Sequence, residues 1–125
     1  MILYIDTTNN KEVILQLRSG KKTVAEIIEP AERSQAEKLL PAIERMLTEQ
    51  KMVLQELTSI EVNNHGGSYT SLRIGVVTAN ALAFALDIPI KGQTRSDLKK
   101  TNSVSIIEPV YDTDPQIVIK KPRLE

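Results

Sequence analysis

The sequence lacks cysteine and tryptophan, and it contains one histidine and one phenylalanine among its 125 residues. Without cysteine there are no disulfides and no thiolate metal sites, a composition that fits a reducing intracellular compartment. Zinc or iron sites built on histidines usually need two or three imidazoles, and the HExxH motif is absent too. We therefore expect no catalytic metal and no metalloprotease activity.

An excess of charge of one sign is also missing, because 16 basic and 16 acidic residues cancel. No global field draws the chain to nucleic acid or to an anionic membrane, so any RNA contact must be local or supplied by a partner. The N-terminus lacks the basic and apolar regions of a signal peptide, and no uninterrupted apolar segment approaches the roughly 20 residues of a membrane helix. We expect a cytoplasmic protein of one domain, without membrane contact.

Three β-rich runs open the chain: MILYID, KEVILQLR and KKTVAEII. They are separated by the turn-forming pairs Asn9-Asn10 and Ser19-Gly20. Short β-rich runs joined by such turns are typical of an antiparallel meander. We therefore predict two hairpins whose tips lie at these pairs.

Helical periodicity begins near Ser34 and continues to about residue 51. Pro41 lies inside this pattern and predicts a kink or a second helix start near Leu40-Pro41. The segments LTSIEV, SLRIGVVTANALAFALD and IPIKG then read as strand, helix and strand, a βαβ unit that requires a parallel strand pair. The predicted fold is α/β with a mixed sheet. Beyond Gly92, QTRSDLKKTN suits a short helix or a loop, and SVSIIEPVY has strand character before a basic tail.

The second helix carries a single charge, Arg73, between residues 72 and 86, so we expect it to be buried nearly all round. Small residues recur every four positions along it and form what we call the ridge: Ser71, Gly75, Ala79 and Ala83. Such a ridge lets another helix approach closely. We interpret it as a spare face that meets another protein chain; the alternative is that the first helix packs on it within this chain.

The predicted interface combines the apolar positions of both helices: Leu39, Leu40, Ile43, Met46, Leu47, Ser71, Leu72, Gly75, Val76, Ala79 and Ala83. On this interpretation, Ala79→Glu or Gly75→Leu would abolish partner binding and leave the fold intact.

The turn HGGSYTSLRIG precedes the second helix and raises a choice between ligand binding and structure. Backbone N–H groups at a helix start can hold phosphate or carboxylate, and the candidate anion site comprises Asp6, Thr7, Gly66, Gly67, Ser68 and Thr70. The turn has neither a Walker lysine nor the GxGxxG pattern, so we favour a structural strand-to-helix turn. We favour hairpin capping for Asp6, which has no partner carboxylate at motif spacing, and a loop role for His65, which has no paired nucleophile.

Three segments taken in order resemble the bacterial TsaB (YeaZ) family: MILYIDTT, KLLPAIERML and GGSYTSLRIGVVTANALAFALDIPIKG. The resemblance covers residues 1 to about 96, and EPVY near the end is similar to the family's Pro-Val-Tyr. It divides the chain into a TsaB-like N-terminal lobe, 1–96, and a short C-terminal remnant, 97–125, with a returning strand and basic tail. The sequence departs from the family pattern at Gln35-Ala36, at His65-Gly66-Gly67, where the family's Gly-Pro-Gly loses its proline, and at Ser71.

The resemblance implies a single actin-like (ASKHA, RNase H-like) lobe in which an antiparallel meander precedes the βαβ unit. It implies a non-catalytic scaffold of the tRNA threonylcarbamoyladenosine pathway that needs no cofactor. It also implies a heterodimer with a TsaD-like subunit, a TsaE-like ATPase in a larger complex, a homodimer when alone, and indirect contact with tRNA. Most of the second lobe is expected to be missing, so that nucleotide would bind poorly. Two alternatives remain: an actin-like enzyme domain that binds nucleotide at the candidate anion site, and a self-associating structural module.

Overall fold

The computed structural model describes residues 1–92, 98–101 and 104–107. The EPVY segment and the basic tail, on which part of the sequence analysis rests, lie outside the described residues. For residues 98–101 and 104–107 only the backbone is described.

A five-stranded mixed sheet forms the centre of the fold, in the order β3-β2-β1-β4-β5. The strands are β1 (Ile2–Asp6), β2 (Glu12–Ser19), β3 (Lys22–Pro30), β4 (Ser59–Val62) and β5 (Ile90–Gly92). The first three strands pair antiparallel, whereas β4 pairs parallel with both β1 and β5. The meander, its two hairpins and the βαβ unit are therefore confirmed. Gly20 sits at the second hairpin tip with φ +63°, a left-handed conformation that glycine adopts without strain.

Two helices form the second layer: α1 (Gln35–Glu49) and α2 (Tyr69–Leu86). Ser34, near which the helical periodicity begins, is the N-cap residue of α1, although its side chain makes no capping hydrogen bond. Helix α1 runs through Pro41 without interruption, so the prediction of a second helix start there is wrong. Pro41 is exposed, and burial of the apolar side chains on the other side of α1 keeps the helix continuous despite the lost backbone bond.

The hydrophobic core lies between one face of the sheet and the two helices. Alternate residues of β1 and β2, such as Leu3 and Leu15, are fully buried. Cross-strand pairing places Ile5 beside Leu15 and Val62, so the buried positions of three strands share that face. Helix α1 packs on β2 and β3, while α2 packs on β4 and β1.

A separate two-stranded antiparallel sheet follows the βαβ unit and consists of β6 (Leu98–Thr101) and β7 (Val104–Ile107). The strand character of SVSIIEPVY is therefore confirmed at residues 104–107. The prediction of a helix or loop for QTRSDLKKTN is wrong at residues 98–101, because these residues pair with β7. The division of the chain at residue 96 stays a prediction.

Helix α2 is 18 residues long with a mean hydropathy of 1.2, which by length and composition alone is enough to cross a membrane. Polar side chains, including Arg73, Thr78 and Asn80, interrupt this segment, so it is not the uninterrupted apolar run whose absence the sequence analysis notes. In this fold, however, Leu72 and Ala79 of α2 are completely buried in the core. The core of a globular domain is a sufficient reason for apolar side chains at such positions.

Candidate functional site

Two small residues of α2, Ser71 and Gly75, lie against the end of β1, and their contact with Thr7, the residue after that strand, shows why Gly75 must be small. The Thr7 hydroxyl donates a hydrogen bond to the Ser71 carbonyl (2.5 Å) and accepts one from the Gly75 N–H (3.1 Å). Ser71 and Gly75 are the two ends of a helical i to i+4 bond, so the hydroxyl is inserted into the backbone ladder of α2. A Cβ on Gly75 would lie 2.6 Å from the Thr7 Oγ1, a distance that real Cβ atoms essentially never show.

The ridge is consequently part of the core: Ser71, Gly75, Ala79 and Ala83 are all buried within the chain. The prediction that it is a spare face is wrong, because its residues are buried within this chain. Helix α1 does contact α2, but the close contacts described for Ser71 and Gly75 are with Thr7, so packing of α1 on the rest of the ridge stays a prediction. The variants Ala79→Glu and Gly75→Leu would therefore damage the fold itself.

Ten of the eleven predicted interface residues are buried in the chain: Leu39, Ile43, Met46, Leu47, Leu72, Val76 and the four residues of the ridge. Only Leu40 remains available, with 54% of its surface exposed. The amphipathic pattern of α1 identified the buried stripe correctly, but that stripe packs on this chain's own sheet.

An apolar surface does exist on the opposite side of the helical layer, and we call it the outer face. It consists of Val77, Ala81 and Phe84, which lie three or four residues apart on the exposed side of α2, and we assign the exposed Leu40 of α1 to it as well. Val77 is 56% exposed and Phe84, the only phenylalanine, is 68% exposed. The expectation that α2 is buried nearly all round is thus wrong, since the helix presents apolar side chains both to the core and to solvent.

A groove of about 390 Å³ adjoins the outer face along the first turns of α2. It is lined by Ala36 of α1 and by Tyr69, Thr70, Arg73, Ile74, Val77 and Thr78 of α2. Arg73 contributes the only charge on α2, and its Nη1 donates to the Tyr69 hydroxyl at 2.8 Å. The outer face and this groove together form a surface suited to another polypeptide, because contiguous exposed apolar side chains mark interaction sites.

The glycine-rich turn before α2 matches its structural interpretation. Gly66 and Gly67 have φ of 90° and 77°, where side chains are strained. A Cβ on Gly67 would lie 2.4 Å from the Thr8 carbonyl oxygen, so the turn also needs glycine for close approach to the end of β1. Ser68 is the N-cap residue of α2, and its hydroxyl accepts a hydrogen bond from the Ser71 N–H (3.1 Å).

Asp6 closes the first hairpin, in agreement with the capping interpretation. Its Oδ1 accepts hydrogen bonds from the N–H (2.9 Å) and the hydroxyl (2.7 Å) of Thr8, and its Oδ2 accepts from Tyr4 (3.0 Å) and Asn63 (3.1 Å). Burial raises the pKa of Asp6, but these hydrogen bonds outweigh it and hold the pKa below its ordinary value. Burial and the neighbouring Asp6 charge raise the pKa of Tyr4.

The fold therefore brings the candidate anion site together at the ends of β1 and β4, but its groups are already engaged. The hydroxyls of Thr7 and Ser68 are hydrogen-bonded to α2, and Asp6 adds a negative charge. Thr70 is exposed beside Ser68. His65 has its N–H bonded to the Asn63 side chain at 3.2 Å. Among the residues that the structure describes, no group of three His, Cys, Asp or Glu side chains could hold a metal ion.

Gln35 is a structural residue that sequence reasoning missed. It is 5% exposed, and its Nε2 lies within hydrogen-bond distance of the carbonyl oxygens of Thr7 (3.1 Å), Asn9 (2.9 Å) and Glu12 (2.9 Å). These bonds fasten the start of α1 to the first hairpin. One signal was present, because Gln35 lies one helical turn before Leu39 on the buried stripe of α1.

Comparison with known families supports the same fold. A family model described as "TsaD: tRNA N6-adenosine threonylcarbamoyltransferase" matches residues 22–93. A crystal structure from Pseudomonas aeruginosa, of an uncharacterized protein with similarity to peptidase YEAZ, superimposes with a TM-score of 0.67 at 19% identity. That match covers 85% of this chain and 62% of the other. The match to YeaZ-like and TsaD-like proteins places the described sheet and helices in the actin-like (ASKHA) fold.

Curated relatives carry names that are more specific. The tRNA threonylcarbamoyladenosine biosynthesis protein TsaB of Bacillus subtilis is 35% identical over 114 residues, or 89% of this chain and 49% of that protein. The protein of the same name from Haemophilus influenzae is 30% identical over 89 residues, or 71% of this chain and 37% of its own length. The chain spans about half the length or less of these curated relatives.

Proposed function

The chain belongs to the family that the TsaD model describes, and within that family it is a TsaB (YeaZ) protein. On that premise we propose that the chain is a non-catalytic subunit in tRNA threonylcarbamoyladenosine biosynthesis. In this proposal it binds a TsaD-type transferase as a heterodimer and supports that subunit's activity. Contact with tRNA is indirect, and a TsaE-type ATPase joins only the larger assembly.

The observation that carries the proposal is the outer face. Leu40, Val77 and Phe84 are each more than half exposed although the helices that bear them are well packed on their other side. Exposing large apolar side chains in this way costs free energy that burial against a partner would recover, about 25 cal/mol per Å² of apolar surface. Aromatic side chains are also enriched among residues that dominate binding, which makes Phe84 the expected centre of the contact.

A non-catalytic role agrees with the hydrogen bonds that the polar residues around the turn before α2 already make. Thr7, Ser68 and Asp6 are polar residues of the candidate anion site, and each is committed to a hydrogen bond that holds the fold. A nucleotide at this turn would have to displace these bonds and to approach an ionised carboxylate, both of which oppose anion binding.

The experiment is a titration of the full chain with the TsaD-type subunit of the same organism, followed by light scattering of the mixture. Val77→Gln tests the outer face, because glutamine is a good helix former and adds no charge beside Arg73. The matched control is Val53→Gln, since Val53 is 57% exposed but precedes the short 3-10 turn (Leu54–Glu56) away from the outer face.

We expect a mixed dimer with the wild-type chain and with Val53→Gln, and binding by Val77→Gln weakened about tenfold. If the chain does not bind the transferase and forms only a homodimer, the proposal is refuted. Equal binding by the two glutamine variants would refute the assignment of the outer face.

A further inference from the structure

Arg73 is the one charged side chain on α2 and lies on the outer side of that helix, beside Val77 one turn further on. Its guanidinium does not extend freely into solvent. It folds back over Tyr69, with the guanidinium carbon 5.3 Å from the ring centroid and the Nη1 donating to the Tyr69 hydroxyl at 2.8 Å. Stacking and hydrogen bonding together favour this orientation, in which Arg73 lines the groove.

No carboxylate neutralises this arginine within the described part of the chain. The ion pairs found there join Arg18 to Glu61 (2.9 Å) and Arg45 to Glu29 (2.5 Å). A guanidinium carries five N–H donors, and the Tyr69 hydroxyl accepts from one of those on Arg73. The group is therefore oriented but has spare donors on the side away from Tyr69.

The groove around Arg73 is lined mainly by apolar surface. The apolar residues Ala36, Ile74 and Val77 line it together with the polar residues Thr70 and Thr78. A partner that covers Val77 would also cover Arg73 one turn away, and removing a guanidinium from water without a counter-charge is strongly unfavourable. Docking on this surface consequently demands an acidic group at one defined place.

We propose that the protein partner of the outer face presents an Asp or Glu side chain that pairs with Arg73 through two parallel hydrogen bonds, with apolar neighbours that fill the groove. This inference rests on the proposed function, because it describes the chemistry of the TsaD-type partner. Arginine suits the role since its planar fork matches a carboxylate, whereas lysine offers only a point charge. Arg73 would thus select the partner and fix its register.

The test measures dissociation constants of the full-length variants Arg73→Lys, Arg73→Leu and Arg73→Glu with the TsaD-type subunit at low and high salt. Arg45→Gln is the matched control, because Arg45 is an exposed arginine on α1 whose partner, Glu29, belongs to this chain. Thermal melting of every variant checks that the fold is retained.

We expect Arg73→Glu to weaken binding about 30-fold or more, since truncating one member of a desolvated charge pair costs at least about 2 kcal/mol. Arg73→Lys should fall between wild type and Arg73→Leu, and Arg73→Leu should flatten the salt dependence. Arg45→Gln should bind like the wild type. An acidic residue of the partner whose change to Arg restores binding to Arg73→Glu would identify the pair directly.

Two results would overturn the inference in distinguishable ways. If Phe84→Lys loses binding while Arg73→Glu binds as the wild type does, the proposed function stands and the carboxylate pairing is wrong. If the wild-type chain does not bind the transferase, both fail. Self-association that depends on Arg73 would assign the carboxylate to a second copy of this chain and would also contradict the inference.

Discussion

The two faces of the helical layer are both apolar, but they differ in what their side chains can do. The inner face carries the ridge and is packed so closely on the sheet that the Thr7 hydroxyl enters the backbone ladder of α2. The outer face carries Val77 and Phe84, which have no such neighbours in the described chain. Small residues therefore mark the side where α2 approaches its own sheet, and large exposed residues mark the side left for a partner.

The sharpest test of this comparison places one substitution on each face. Ala79→Glu would bury a carboxylate with no counter-charge, because Ala79 is 0% exposed, and we expect a loss of at least about 3 kcal/mol in the free energy of unfolding. Ala81→Glu, two residues further on and exposed, should leave stability within about 0.5 kcal/mol and weaken partner binding instead. Urea unfolding of both variants measures the contrast. Equal stability would show that the inner face has been assigned incorrectly.

The next largest loss of stability is expected from a substitution at Gln35, at the start of α1. Gln35→Ala removes the Nε2 that lies within hydrogen-bond distance of three carbonyl oxygens, of which that of Thr7 is buried. Leaving a buried acceptor unpaired costs about 1–3 kcal/mol. Gln55→Ala is the control, because Gln55 is exposed on the short 3-10 turn. Urea unfolding should separate the two variants, and indistinguishable midpoints would mean that the bonds do not hold α1 in place.

Gly75→Ala tests the inserted hydroxyl. Alanine favours a helix over glycine by about 1 kcal/mol, but overpacking against Thr7 costs about 1–3 kcal/mol, so we expect net destabilisation of about 1 kcal/mol. Adding Thr7→Ala to this variant removes the clash and frees the Ser71–Gly75 helical bond. The double variant should therefore lose less than the sum of the two single losses. Simple additivity in thermal melts would argue against the insertion.

The smallest expected effect is the pH dependence contributed by Asp6. Its pKa is lowered in the folded protein, so its contribution to stability is complete above the ordinary Asp pKa of about 3.9 and is lost as pH falls through the folded pKa. Asp6→Asn should be less stable than the wild type at pH 7, and the difference should shrink below about pH 4. Urea midpoints at pH 7, 4 and 3 measure it; a difference that stays constant would contradict the assignment.

Local patterns predicted most of the fold because strand alternation, helical periodicity and turn residues act over short distances. The positions of β1 to β5 and both helices followed from these signals. The orientation of α2 could not be predicted from these signals, since a ridge of small residues suits close approach of a helix or of a sheet equally well. The deciding contact joins Thr7 to Gly75, 68 residues apart in sequence, and no local pattern records it.

The existence of an exposed apolar surface could be predicted from the sequence, but the residues of the outer face could not, because they depend on the same long-range contact. A nearly uncharged helix implied a spare apolar surface, but Val77 and Phe84 could be assigned to it only after the ridge was placed against the sheet. Gln35 was overlooked because a glutamine at a helix start is usually solvated, and its burial depends on carbonyl groups of the first hairpin.

The most direct test of the central claim is a calorimetric titration of the TsaD-type subunit into the wild type, Phe84→Lys and Ile28→Lys. Phe84 and Ile28 are 68% and 56% exposed, but Ile28 lies on β3 away from the helical layer. We predict binding by the wild type and by Ile28→Lys, and affinity reduced about 30-fold or more in Phe84→Lys. Unchanged affinity in Phe84→Lys, with the fold intact, would contradict the account.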